Sequence, residues 1–271
     1  MTSTSSLRPG TKRLAVLAMA LIVAFVMAPA MLASNGATTD LAGEARLMAA
    51  FRRAFVMYWD SGEGSFGSDL QRVVDYWFRY HTAKALLSAM LLVVLVVLGM
   101  LIWRAFLRAG GLKAAALAAS GVLATALAVV SLAAVMANIH GMAAPFGSLL
   151  PMLFGAPAGP LDDALAQVRQ QLASGQNSPA LAVITDDYVK FHAVMAVEGS
   201  IVVAALVVLS VLLWRGFTRT DRAERRTRRL LAAYGVFVPV LSLTLAVVVV
   251  ANALTAAHPL PGLEGFFAGG W

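Results

Sequence analysis

Five apolar runs of about 20 residues each decide what this chain can become. They cover roughly residues 14–33, 83–103, 114–137, 193–214 and 230–254. At 1.5 Å rise per residue, a helix of that length crosses a hydrocarbon core of roughly 30 Å. Inside such a core the backbone N–H and C=O groups find no water, so a spanning segment satisfies them internally, as a helix or in a closed barrel. The runs lack the alternation of barrel strands. The expected fold is an all-α integral membrane protein with five transmembrane helices, or four if the first is a cleaved signal. Composition points the same way: 60% of the residues are hydrophobic and 13% charged, where soluble domains carry about a quarter charged.

The net charge of +7 could suggest a nucleic-acid partner, but its distribution argues against one. Thirteen of the 21 Lys and Arg residues fall in three short segments. These hold Arg8, Lys12 and Arg13; then Arg104, Arg108 and Lys113; then Arg215, Arg219, Arg222, Arg225, Arg226, Arg228 and Arg229. The intervening loops carry 11 of the 14 acidic residues. That alternation is what the positive-inside rule predicts for a protein of the cell membrane, with a cytoplasmic N-terminus and an extracytoplasmic C-terminus. The expected partner is the lipid bilayer, with another membrane protein or a second copy beside it. The chain has no cysteine, which excludes disulfides and thiolate metal sites.

On this reading residues 1–13 are a cytoplasmic N-terminus, and residues 14–33 a first span or signal anchor. Ala28-Pro29-Ala30 would suit a signal peptidase, but no charge interrupts the stretch from Arg13 to Asp40, so an uncleaved anchor is expected. Residues 34–82 form an outer segment. Within it, 43–59 place Leu47, Phe51, Phe55 and Tyr58 on one helical face, with Arg46 and Arg53 opposite. Such a helix either anchors at the headgroups or packs over the bundle ends. Residues 83–137 form one pair of spans, 138–192 an outer loop, 193–254 a second pair, and 255–271 an outer tail. In the loop a short helix over 161–173 is expected, capped by Asp162 or Asp163.

An internal repeat is the most specific signal. Segment 70–108 matches segment 181–219 without a gap, with 13 identities in 39 positions at an offset of 111. Apolar composition can produce Leu and Val matches. It does not readily produce Asp75 and His81 before the span, with Trp103, Arg104, Phe106 and Arg108 after it, in register with Asp186, His192, Trp214, Arg215, Phe217 and Arg219. At an offset of 114, Val135, Ala137, Asn138 and Pro145 recur as Val249, Ala251, Asn252 and Pro259. The expected architecture is a duplicated helical hairpin, spans 2–3 and 4–5, forming a parallel-repeat four-helix bundle.

The candidate functional residues are few. His81, His140, His192 and His258 all fall at the outer ends of spans. His81 and His192 could hold a haem iron axially, or all four could converge on copper or zinc. A packing role for the histidines is the simpler expectation, because a duplication copies a structural residue as faithfully as a ligand. Lys84 and Glu198 lie within apolar surroundings and are expected to face the bundle interior or each other. Asn138 and Asn252 suit interhelical hydrogen bonds. No nucleotide-binding loop, catalytic triad or carboxylate pair is visible, so the chain leans away from an enzyme. The leading expectation is a non-catalytic accessory or structural membrane component. The alternatives are a haem- or copper-binding redox or metal-handling protein, and a small transporter.

Overall fold

The computed structural model describes residues 9–155 and 159–269. Arg8 of the first basic segment lies outside the described residues. The described secondary structure is helical throughout: nine α-helices, with short 3-10 turns at Thr39–Leu41 and Leu150–Leu153. Five helices are long and apolar enough to cross a bilayer, which marks a multi-pass membrane protein. They are α1 (Pro9–Ala33), α3 (Ser68–Arg108), α4 (Gly111–Ala143), α7 (Pro179–Arg219) and α8 (Arg225–Ala257). The shorter helices are α2 (Glu44–Ser61), α5 (Pro145–Leu149), α6 (Pro160–Ser174) and α9 (Pro259–Phe267).

The long helices outrun the apolar windows. α3 and α7 each hold 41 residues, or about 60 Å, twice the hydrocarbon thickness. Their N-terminal turns carry Asp69, Asp75, Asp186 and Asp187, so hydropathy alone ends the helix too early. Glycines mark one break between long helices. α3 gives way to α4 across Ala109 and Gly110, and Gly111 adopts φ +54°, which a residue with a Cβ rarely tolerates.

The chain forms two compact units. The first comprises Met1–Pro29, Lys84–Ala137 and Leu206–Leu241. Its buried clusters are small, with Leu98, Ile102, Leu117 and Ala124 in one, and Ala18, Leu91 and Leu95 in another. Many of its other large apolar side chains are exposed, as expected where lipid is the solvent. Helix contacts are close where glycine permits. A Cβ on Gly121 would lie 2.6 Å from Cε2 of Trp103, and one on Gly235 would lie 3.3 Å from Cε2 of Trp214. The indole of one helix thus lies against the bare backbone of the next in both hairpins. An apolar cavity of about 460 Å³ beside Trp103, Thr125, Tyr234 and Phe237 completes the unit.

The second unit comprises Ala30–Ala83, Asn138–Ala205 and Ser242–Trp271. It has the larger core, with Phe51, Phe55, Tyr76, Phe146, Leu149, Leu153, Ile184 and Phe267 each at most 2% exposed. Phe146 meets Phe51, Tyr58 and Phe66 at centroid distances of 6.3, 5.8 and 4.8 Å, in edge-on or tilted geometries that aromatic quadrupoles favour. α2 lays its whole apolar stripe (Leu47, Phe51, Phe55, Tyr58) into this core, so the stripe is packed away and not presented to headgroups. Polar tethers hold the connecting segments. Arg79 Nε donates to the Ala33 carbonyl over 2.8 Å, and Arg72 pairs with Asp40 over 3.0 Å.

α6 forms where the loop helix was expected, but its cap differs. Gly159 precedes the helix with no side-chain cap, Pro160 takes the first position, and Asp162 and Asp163 stand in the first turn. There they complement the helix dipole and do not cap it. Gly175, at φ +68°, closes the other end.

Tyr58 donates its hydroxyl to the Ala180 carbonyl over 3.0 Å, and burial pushes its pKa up to about 12 from 10.0. Its stabilising effect is therefore intact below pH 10 and is lost as pH climbs toward 12. Tyr58→Phe should cost about 1 kcal/mol at neutral pH and remove part of the alkaline loss of stability. Unfolding midpoints of both proteins across that pH window check this.

Candidate functional site

The polar side chains of the second unit meet in pairs across helices. His81 on α3 contacts Asn138 on α4, with Nδ1 and Oδ1 2.9 Å apart. The ring fits because residue 141 is glycine, where a Cβ would come within 2.7 Å of the His81 Cε1. Trp77 meets the same ring edge-on, with centroids 4.6 Å apart, while its own Nε1 donates to Ser148 Oγ over 2.8 Å.

His192 on α7 contacts Asn252 on α8 in the same manner, with Nδ1 and Oδ1 2.6 Å apart. Asn252 Nδ2 donates to the Val248 carbonyl over 2.8 Å, which orients the amide and turns its oxygen toward the imidazole. An amide oxygen only accepts, so His192 Nδ1 carries the hydrogen and the lone pair of the neutral ring sits on Nε2. Tyr188 and Phe191 flank the ring at centroid distances of 4.5 and 5.4 Å.

The third contact pairs acid with base. His140 Nδ1 on α4 lies 3.0 Å from Glu198 Oε1 on α7, and the two side chains are only 10% and 11% exposed. Phe191 stacks edge-on against His140 at 4.5 Å. The remaining candidates lie elsewhere. Lys84 belongs to the first unit, where its ammonium stands 4.7 Å from the Phe25 ring centroid. His258 is the exposed residue that precedes α9.

Three histidines are thus drawn into three separate side-chain pairs, and the fourth lies outside them. Among the described residues no three His, Cys, Asp or Glu side chains come together as a metal-ligand set. What the pairs can do is fix helix against helix and, at His140–Glu198, hold a proton.

Two features escaped sequence reasoning. Asp187 Oδ2 accepts the Gly147 N–H over 2.5 Å and so fastens α5 to α7. The partner of Glu198 is an imidazole 58 residues away. Apolar spacing reports neither, because each depends on how a helix is rotated about its own axis.

A cycle of His192→Ala, Asn252→Ala and the double variant should return a coupling near 0.6 kcal/mol and not above about 1.7 kcal/mol. The His81–Asn138 cycle should return a value of the same size. Reversible unfolding in detergent measures both, and additive losses would mean that the bonds hold nothing. Compared with family models, curated proteins and solved structures, the chain matches none.

Proposed function

We propose that the chain is a non-catalytic accessory component of the cell membrane, a duplicated helical hairpin whose histidines are structural and whose partner is another membrane protein or a second copy. The observation that carries this reading is the commitment of His81, His140 and His192 to side chains on neighbouring helices. An imidazole whose ring is packed and bonded in this way serves helix association.

The duplication has support in recurring detail. α3 and α7 share a length of 41 residues, and α4 and α8 a length of 33. The pairs His81–Asn138 and Trp103–Gly121 correspond to His192–Asn252 and Trp214–Gly235 at the offsets of the sequence repeat. A partner on the second unit has support in its surface. There, a groove of about 730 Å³ is lined by Met57 and Leu161 together with Arg52, Arg53, Arg72 and Asp69.

The orientation rests on charge. Of the 14 acidic residues only Asp221 and Glu224 belong to the first unit, which also holds 14 of the 21 Lys and Arg residues. The positive-inside rule puts the basic loops in the cytoplasm, with the C-terminus outside.

The lack of cysteine makes the test direct. A thiol reagent added to intact cells should label Asn177→Cys and leave Ala223→Cys unlabelled until the membrane is opened; the reverse pattern would invert the topology. Purified protein should be colourless and free of stoichiometric metal. A haem band or bound copper that disappears in the His81→Ala, His192→Ala double variant would overturn the structural reading of the histidines.

A further inference from the structure

His140 and Glu198 stand out because they break the repeat. The histidine–asparagine and tryptophan–glycine contacts occur once in each hairpin, at offsets of 111 and 114 residues. Applying the same offsets, the position that matches Glu198 is Leu87, and the position that matches His140 is Leu254. Leucine occupies both, so packing at these levels of the helices needs neither an acid nor an imidazole. The two departures from symmetry nevertheless meet each other, 3.0 Å apart, joining α4 of one hairpin to α7 of the other. The second carboxylate oxygen, Glu198 Oε2, is buried and, among the described residues, has no hydrogen-bond partner.

Such a pair in apolar surroundings is restricted in charge. With a neutral imidazole and an ionised carboxylate it carries an uncompensated negative charge. With imidazolium and protonated acid it carries an uncompensated positive one. The positive extreme has no counter-charge where water cannot solvate it, whereas in the negative one Nδ1–H still donates to Oε1, so that is the state the pair reaches on losing its proton. The two neutral arrangements, imidazolium with carboxylate and imidazole with carboxylic acid, contain the same number of protons and differ only in where one proton sits. In the second, Nδ1–H still donates to Oε1 while the unpartnered Oε2 carries the acid hydrogen. Phe191 supplies an apolar wall on one side. His192, held by Asn252, is a titratable neighbour that contacts the same Phe191 ring.

We propose that His140 and Glu198 form a binding site for a single exchangeable proton between the two hairpins, taken up from hydronium with release of water and returned the same way. No electron moves and no cofactor takes part. This assigns the pair a ligand that the remaining histidine pairs, closed by neutral amides, do not take.

The experiment uses the full chain in lipid nanodiscs. Infrared difference spectra between mildly acid and mildly alkaline buffer should contain a buried carboxylic-acid C=O band that is lost in Glu198→Gln. An indicator dye should count one proton fewer per molecule over the same pH step in His140→Leu/Glu198→Leu than in the wild type. That double variant restores the leucines found at the matching positions and should remain helical and folded, because well-packed apolar side chains replace buried ion pairs without loss. In His140→Gln the carboxyl band should no longer change over the same pH step. A wild-type band that persists in Glu198→Gln, or equal proton counts in the wild type and the folded double variant, would overturn the proposal.

Discussion

A hydrocarbon solvent offers no hydrogen bonds, and this constraint governs the chain at two scales. Along the backbone it requires helix, because every N–H and C=O must find its partner within the segment. Between side chains it requires pairing, because an imidazole, amide or carboxylate left alone in lipid is expensive. The first demand produces the five long helices. The second joins His81 to Asn138, His192 to Asn252 and His140 to Glu198. Each hairpin is thereby closed by a polar contact in one place and by an indole lying on a glycine in another.

The two compact units obey different physics within one chain. In the first, apolar residues face outward and close approach depends on glycine, since burying leucine from lipid gains little. The second is built as a water-soluble domain is, with aromatic side chains from α2, α5 and the connecting segments gathered in a common core. There the hydrophobic effect acts in its ordinary form. The distribution of acidic residues, nearly all in the second unit, accompanies this change of surroundings.

Much of this is legible in the sequence. The spans announce themselves by length and hydropathy, and the stripe Leu47, Phe51, Phe55, Tyr58 has the period of a helix that buries one face. Hydropathy did not reveal that α3 and α7 continue well beyond their apolar windows, because amphipathic turns hide from an average over all faces. It was also silent on which of the two environments open to α2 would receive the stripe. The site was half readable. The register of His81 with His192 and of Asn138 with Asn252 is a property of the chain, whereas their meeting is a property of helix rotation. Glu198 could be recognised as a residue in need of a partner. Choosing His140 over Lys84 required knowing which faces of α4 and α7 point at each other.

The separation of His140 and Glu198 along the chain has a consequence for biosynthesis. A ribosome completes His140 58 residues before Glu198, so α4 can already be in the bilayer when α7 begins to emerge. The base is thus made before the acid that pairs with it. The order of the two residues makes the earlier hairpin a template on which the later one is received.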